Sequence, residues 1–148
     1  MKILLAVDGS DCSKAAAASV AARPWPPGSE LRIVSSVEPA YIPTTDTWVL
    51  PENYYAELDK IARDQAHDAI KSALELFRSG VDPNLKVISE VLDGPARDVI
   101  LDEAEKWGAD LIVLGSHGYR GLKKFILGSV SHAVATHAHC SVEIIRQK

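Results

Sequence analysis

The stretch from Asp110 to Arg146 constrains the fold more than any other part of the chain. It opens with a short apolar run, Leu111-Ile112-Val113-Leu114, which stops at Gly115. Glycines recur at Gly118 and Gly121, and after Phe125-Ile126-Leu127 a Gly128-Ser129 pair opens a helix-like segment. A buried strand that breaks into glycines and then starts a helix is the layout of an anion cradle. Backbone N–H groups converge on the anion, and a helix N-terminus adds its partial positive charge. Gly115 is expected to turn the chain off the strand where a side chain would block a ligand. Gly118 and Gly121 are expected to permit positive φ and close approach of backbone to phosphate oxygens. Gly128-Ser129 offers N–H groups at a helix start and a hydroxyl donor. The plain alternative is that the glycines only make turns and Ser129 only caps a helix. Four glycines behind a buried strand favour anion binding.

The remaining chain frames that cradle. Lys2 to Val7 is a compact apolar run, typical of a strand buried on both faces. Ser10 or Asp11 can cap a helix from about Cys12 to Ala22, which Pro24 and Pro26-Pro27-Gly28 stop. Leu31 to Val37 reads as a second strand, and Glu38 to Pro51 as a long surface loop. From Glu52, the residues Leu58, Ile61, Ala62, Ala66, Ala69, Ile70, Ala73 and Phe77 make one apolar stripe at helical spacing, ended by Gly80. Leu85 to Leu92 is a third strand. Asp93-Gly94-Pro95 starts a helix with Pro95 at its first position, burying Ala96, Val99, Ile100, Ala104 and Trp107 and ending at Gly108. Leu111 to Leu114, then Ser129 to about Ala138, then Val142 to Ile145 complete a strand, a helix and a last strand.

Strict alternation of strand and helix predicts a parallel sheet with helices on both faces, because each crossover is right-handed. Ligands of such sheets bind beyond the C-terminal strand ends, where the strand order reverses. That puts Asp8, Val37 and Gly115 on one rim. The length of 148 residues fits one domain over 1–148. A net charge of −4 argues against a general binder of nucleic acid or of membrane surfaces. No apolar run approaches the roughly 18 residues needed to cross a bilayer, and Met1 to Leu5 is too short for a signal peptide. Cys12 and Cys140 stand in no paired motif, so reduced thiols and a cytoplasmic location are expected.

Two familiar phosphate motifs fail on spacing. The P-loop is absent, since the fifth residue after Gly115 is Arg120 and the fifth after Gly118 is Lys123. The dinucleotide fingerprint is absent after the first strand, where Asp8-Gly9-Ser10 stands. The spacing Gly115-x-x-Gly118, nine residues, Gly128-Ser129 instead resembles the G-2x-G-9x-G-[ST] signature of ATP-binding universal stress proteins. The opening KILLAVDGS, the segment GPARDVILDEAEKWGADLIVLGSHGYRGL and the closing LGSVSHAVATHAHCSVEIIR are similar to that family as well.

The resemblance implies a Rossmann-like α/β domain with a five-stranded parallel sheet in the order 3-2-1-4-5. It also implies ATP, with magnesium, lying across the rim, and a homodimer paired through the last strand. By that resemblance Ala6, Val7 and Asp8 border adenosine, and Val37 meets adenine through its backbone. Gly115, Ser116, His117, Gly118, Tyr119, Arg120 and Gly121 wrap the phosphates, while Gly128, Ser129 and Val130 hold them from the other side. Ser141 stands where many members have proline, a departure that touches no motif position.

Asp8 can orient a ribose or hold magnesium, or simply cap the next helix. Arg120, Lys123 and Lys124 can neutralise phosphate or form a solvated basic face. His117 can donate to an oxygen or point to solvent. His132, His137, His139 and Cys140 lack the spacing of a zinc site. The cradle holds hydroxyls at Ser116 and Ser129 but no convincing general base. A nucleotide-binding regulatory protein of the stress response is therefore expected. A slow ATPase or autophosphorylating enzyme is the alternative. A phosphoacceptor domain is disfavoured, since that fold needs a helix after the fifth strand.

Overall fold

The computed structural model describes residues 1–39, 52–78, 85–118 and 127–147. The expected loop beyond residue 39, the stop at Gly80, and the cradle residues Tyr119, Arg120, Gly121, Lys123 and Lys124 lie outside the described residues. Among the described residues nine elements alternate: β1 (Lys2–Ala6), α1 (Asp11–Ala21), β2 (Glu30–Val37), α2 (Glu52–Arg78), β3 (Lys86–Asp93), α3 (Ala96–Trp107), β4 (Leu111–Gly115), α4 (Ser129–His137) and β5 (Ser141–Ile145). The five strands form one parallel sheet in the order β3-β2-β1-β4-β5. The expected α/β architecture and strand order are both present.

Period-two alternation distributes the sheet's side chains to two cores. Ile3, Leu5 and Val7 of the β1 segment, with Leu31, Ile33, Leu111 and Val113, pack under α1 and α2 through Ala16, Ala17, Val20, Ala69, Ile70 and Ala73. Leu4, Val34, Ile112 and Leu114 pack on the other face under Ile100 and Ala104 of α3 and Val134 of α4. Ile3, Leu4, Leu5, Ile33 and Ile112 are fully buried. Each such side chain contributes about 1.5–3 kcal/mol. The first two helices thus cover one face and the last two the other, which opens a crevice where β1 and β4 diverge.

Several local expectations shift. Ser10, not Asp11, caps α1, its hydroxyl accepting from the Ser13 N–H at 3.3 Å. Pro95 stands just outside α3 in extended backbone rather than at the first helical position, and its carbonyl accepts from the Asp98 and Val99 N–H groups. Gly108 ends α3 in the left-handed conformation, as a glycine stop does. The apolar stripe of α2 is buried only in its second half. Leu58 and Ile61 are 37% and 47% exposed, whereas Ile70 is 6% exposed. The reason is length: 27 residues of helix span about 40 Å, while an eight-residue strand spans about 27 Å. Arg63 pairs with Asp93, the last residue of β3, at 2.7 Å, so the turns before it lie past the sheet rim. No described helix is long and apolar enough to cross a membrane.

Candidate functional site

The rim is built where β1 and β4 end side by side. The sheet ladder runs one residue past β1, with the Val7 N–H donating to the Val34 carbonyl at 2.9 Å. Asp8 follows and is exposed. Its Oδ1 accepts from the Ser10 N–H at 3.0 Å and from Ser10 Oγ at 2.6 Å. Ser10 Oγ also lies 3.3 Å from the His117 carbonyl, which ties the loop after β1 to the loop after β4.

On the β4 side, the Ser116 N–H donates to the Ile145 carbonyl at 2.8 Å. The Ser116 carbonyl then accepts twice, from the Gly128 N–H at 2.8 Å and from Ser131 Oγ at 2.9 Å. This knot sets the start of α4 against the end of β4. Gly128, in extended backbone, precedes the helix and provides no side-chain cap, so the first turn of α4 is open to an anion. Ser129 is therefore the first helical residue rather than the cap. The Gly128 N–H itself is spent on Ser116.

Between these loops lies a cleft of about 550 Å³. One half is apolar, formed by Ala6, Val34, Leu92, Ala96, Val99 and Ile100. The other half is polar and small, formed by Asp8, His117, Gly118, Gly128 and Ser129. Of the expected residues, Ala6, Val7, Asp8, Gly115, His117, Gly118, Gly128, Ser129 and Val130 line it.

Among the described residues, two of those expected do not line the cleft. Val37 is 2% exposed, and its carbonyl accepts from the Gly94 N–H at 2.9 Å. Its neighbours Ser35, Ser36 and Glu38 line the cleft in its place. Ser116 is also 2% exposed. Its hydroxyl lies 3.7 Å from Cys12 Sγ, to which it donates, and 3.1 Å from His117 Nδ1.

The glycines act differently from the expectation. None of Gly115, Gly118 and Gly128 has positive φ. A Cβ on Gly115 would stand 2.7 Å from the backbone carbon of Cys12 and 2.8 Å from the Ser13 nitrogen, so this glycine lets α1 approach the sheet. A Cβ on Gly118 would stand 2.7 Å from Asp8 Oδ2.

Sequence reasoning missed the whole apolar wall from β2, β3 and α3. The available signal was the Leu92-Asp93-Gly94-Pro95 turn, which returns the chain over the end of β2. Among the described residues no group of three or more histidine, cysteine or acidic side chains is placed to hold a metal. Cys140 lies away from the cleft. Burial pushes its thiol above the ordinary range, and the Asp110 charge adds to this.

A family model, the Universal stress protein family, matches residues 1–146. Universal stress protein YxiE of Bacillus subtilis is 30% identical over 148 residues, covering 98% of this chain and 98% of its own. The structure of universal stress protein UspA from Lactobacillus plantarum superposes with a TM-score of 0.78 at 29% identity, covering 99% of this chain and 97% of its own. A universal stress protein from Archaeoglobus fulgidus, solved in complex with dAMP, shares the fold with a TM-score of 0.64 at 24% identity, covering 98% of this chain and 97% of its own. The chain belongs to the universal stress protein family.

Proposed function

We propose that this protein binds an adenine nucleotide, ATP in the first instance, in the cleft between the ends of β1 and β4. The observation that carries this reading is the two-sided lining. An apolar slot between Val34, Leu92, Ala96, Val99 and Ile100 suits a flat, weakly polar base. The glycine half, with the uncapped start of α4, suits a phosphate chain. The dAMP complex of the Archaeoglobus fulgidus relative is in keeping with it. Magnesium fits the same geometry, because Mg²⁺ is commonly held by one or two carboxylates together with substrate phosphates and water, and Asp8 supplies one. The role is regulatory: occupancy orders the rim and biases dimer or partner contacts. The dimer forms through β5, an edge strand that among the described residues pairs only with β4.

An ATPase or autokinase reading has less to work with. The Ser116 hydroxyl is turned into the protein toward Cys12 and His117, which leaves Ser129 as the exposed acceptor among the described cradle residues. Purified protein is denatured and any released nucleotide identified by mass, and the stripped protein is titrated with Mg-ATP. Copurified adenine nucleotide or saturable binding is expected. Neither being seen overturns the reading. Release of labelled γ-phosphate well above background, lost in Ser129→Ala, favours the enzyme.

A further inference from the structure

His117 lies at the glycine end of the cleft, between the end of β4 and the start of α4. A Cβ added to Gly128 would come within 3.4 Å of His117 Cα. Its two ring nitrogens differ sharply. Nδ1 is 3.1 Å from Ser116 Oγ. Nε2 is buried and has no hydrogen-bond partner among the described residues. A serine hydroxyl has one proton, and that of Ser116 is directed at Cys12 Sγ. With that proton given to the sulfur, Nδ1 donates to Ser116 Oγ and Nε2 carries the lone pair. The opposite tautomer would bury an N–H with no acceptor, which proteins tolerate less than an acceptor with no donor.

The bare lone pair has a chemical consequence. A phosphoryl oxygen needs a donor, and Nε2 becomes one only by taking up a proton. Among the described residues, few groups face this imidazole. Asp8 stands on the loop after β1, bridged to the His117 carbonyl through Ser10, and Cys12 of α1 stands behind Ser116. The residues that line the cleft from the start of α4 are Gly128, Ser129, Val130 and Ser131, all neutral. Glu38 is the other charged residue lining the described cleft. Neither carboxylate can serve as a donor to phosphate while ionised.

We propose that Ser116 and His117 form a proton-coupled phosphate sensor: the Ser116 hydroxyl fixes the His117 ring so that Nε2 meets a phosphoryl oxygen and gains a proton when the ligand binds. This rests on the nucleotide reading of the same cleft and adds to it a linkage between phosphate binding and proton uptake. Ser116 is a positioning residue in this scheme, and His117 is the group that touches the ligand.

The test is nitrogen-15 NMR of the histidine ring from pH 5 to 8.5, with the empty protein, with ATP, and with adenosine as a phosphate-free probe. In the empty protein at pH 8 the His117 ring is expected as the Nδ1–H tautomer. ATP should move its titration midpoint up by about one pH unit, equivalent to about tenfold tighter binding by the protonated form. Adenosine should leave the midpoint in place. Ser116→Ala should mix the tautomers and shrink the ATP-induced shift. An Nε2–H ring in the empty protein overturns the proposal. So does an unmoved midpoint when backbone amide shifts prove that ATP is bound, or an equal shift with adenosine. Absence of any ATP-induced amide shift overturns the nucleotide reading, and the proposal with it.

Discussion

Asp8 and Gly118 face each other across the mouth of the cleft, so closely that a Cβ on Gly118 would stand 2.7 Å from Asp8 Oδ2. Gly118 does not have positive φ, so space rather than backbone freedom demands the glycine. The obstacle is the end of a side chain, which can swing away. Moving it breaks the hydrogen bonds from Ser10 to Asp8 Oδ1. Gly118→Val should therefore leave the circular dichroism spectrum unchanged while weakening Mg-ATP binding at least tenfold, about 1.4 kcal/mol. Undiminished binding by the folded variant means that the cradle is misassigned.

Gly115 presents the opposite case. A Cβ there would meet Cys12 and Ser13 in the first turn of α1, at 2.7 to 2.8 Å, and the nearest atoms are backbone. Backbone in a helix packed on a sheet cannot swing aside. Gly115→Ala should destabilise the fold by about 1–3 kcal/mol, the usual result of overpacking. Urea denaturation checks this, and an unshifted midpoint refutes the close-packing argument.

These two glycines mark what the sequence made legible. Their spacing told of a cradle, and the alternation of strand and helix told of a parallel sheet. The job of each glycine depends on which element approaches it, and linear spacing does not contain that. The same applies to Val37. Its place at the end of an apolar run marked it as a rim residue, yet its carbonyl is consumed by the Gly94 turn. Period-two alternation hands the cleft to Ser36 and Glu38 instead. The apolar wall draws Val34 from β2, Leu92 from β3 and Val99 from α3. Its members come together only once strand order and register are known.

The α2 stripe yields a paired prediction. Helical periodicity identifies its apolar face but not where the sheet beneath it ends. Ile70 is 6% exposed inside the core with Ala16, Leu31 and Val113, and Ile61 is 47% exposed beyond the rim. Ile70→Ala should cost about 2–5 kcal/mol. Ile61→Ala should stay within about 0.5 kcal/mol of the parent protein. Equal losses in chemical denaturation contradict the described packing.

The last prediction concerns pH. Arg23, just past the end of α1, grips Glu143 of β5 with two hydrogen bonds, Nη1 to Oε2 at 2.7 Å and Nη2 to Oε1 at 2.5 Å. The bond from Arg23 holds the Glu143 carboxyl below its ordinary value of 4.5, against a smaller opposing effect of burial. Arg23 is shifted upward by the same bond, so it stays charged throughout the accessible range. A depressed carboxyl contributes stability that is present above its unfolded value and lost as pH falls through its folded value. Arg23 and Glu143 are 37% and 31% exposed, so solvent screening limits the pair to about 1 kcal/mol. Glu143→Gln should be less stable than the parent by that amount at pH 7. The gap should narrow as pH drops below 4.5 and close only once pH has passed the depressed folded value, where the folded parent carries a neutral carboxyl as well. Urea midpoints of the two proteins from pH 3 to pH 7 read this directly. A gap that stays constant across that range means that β5 is held to α1 by packing rather than by the ion pair.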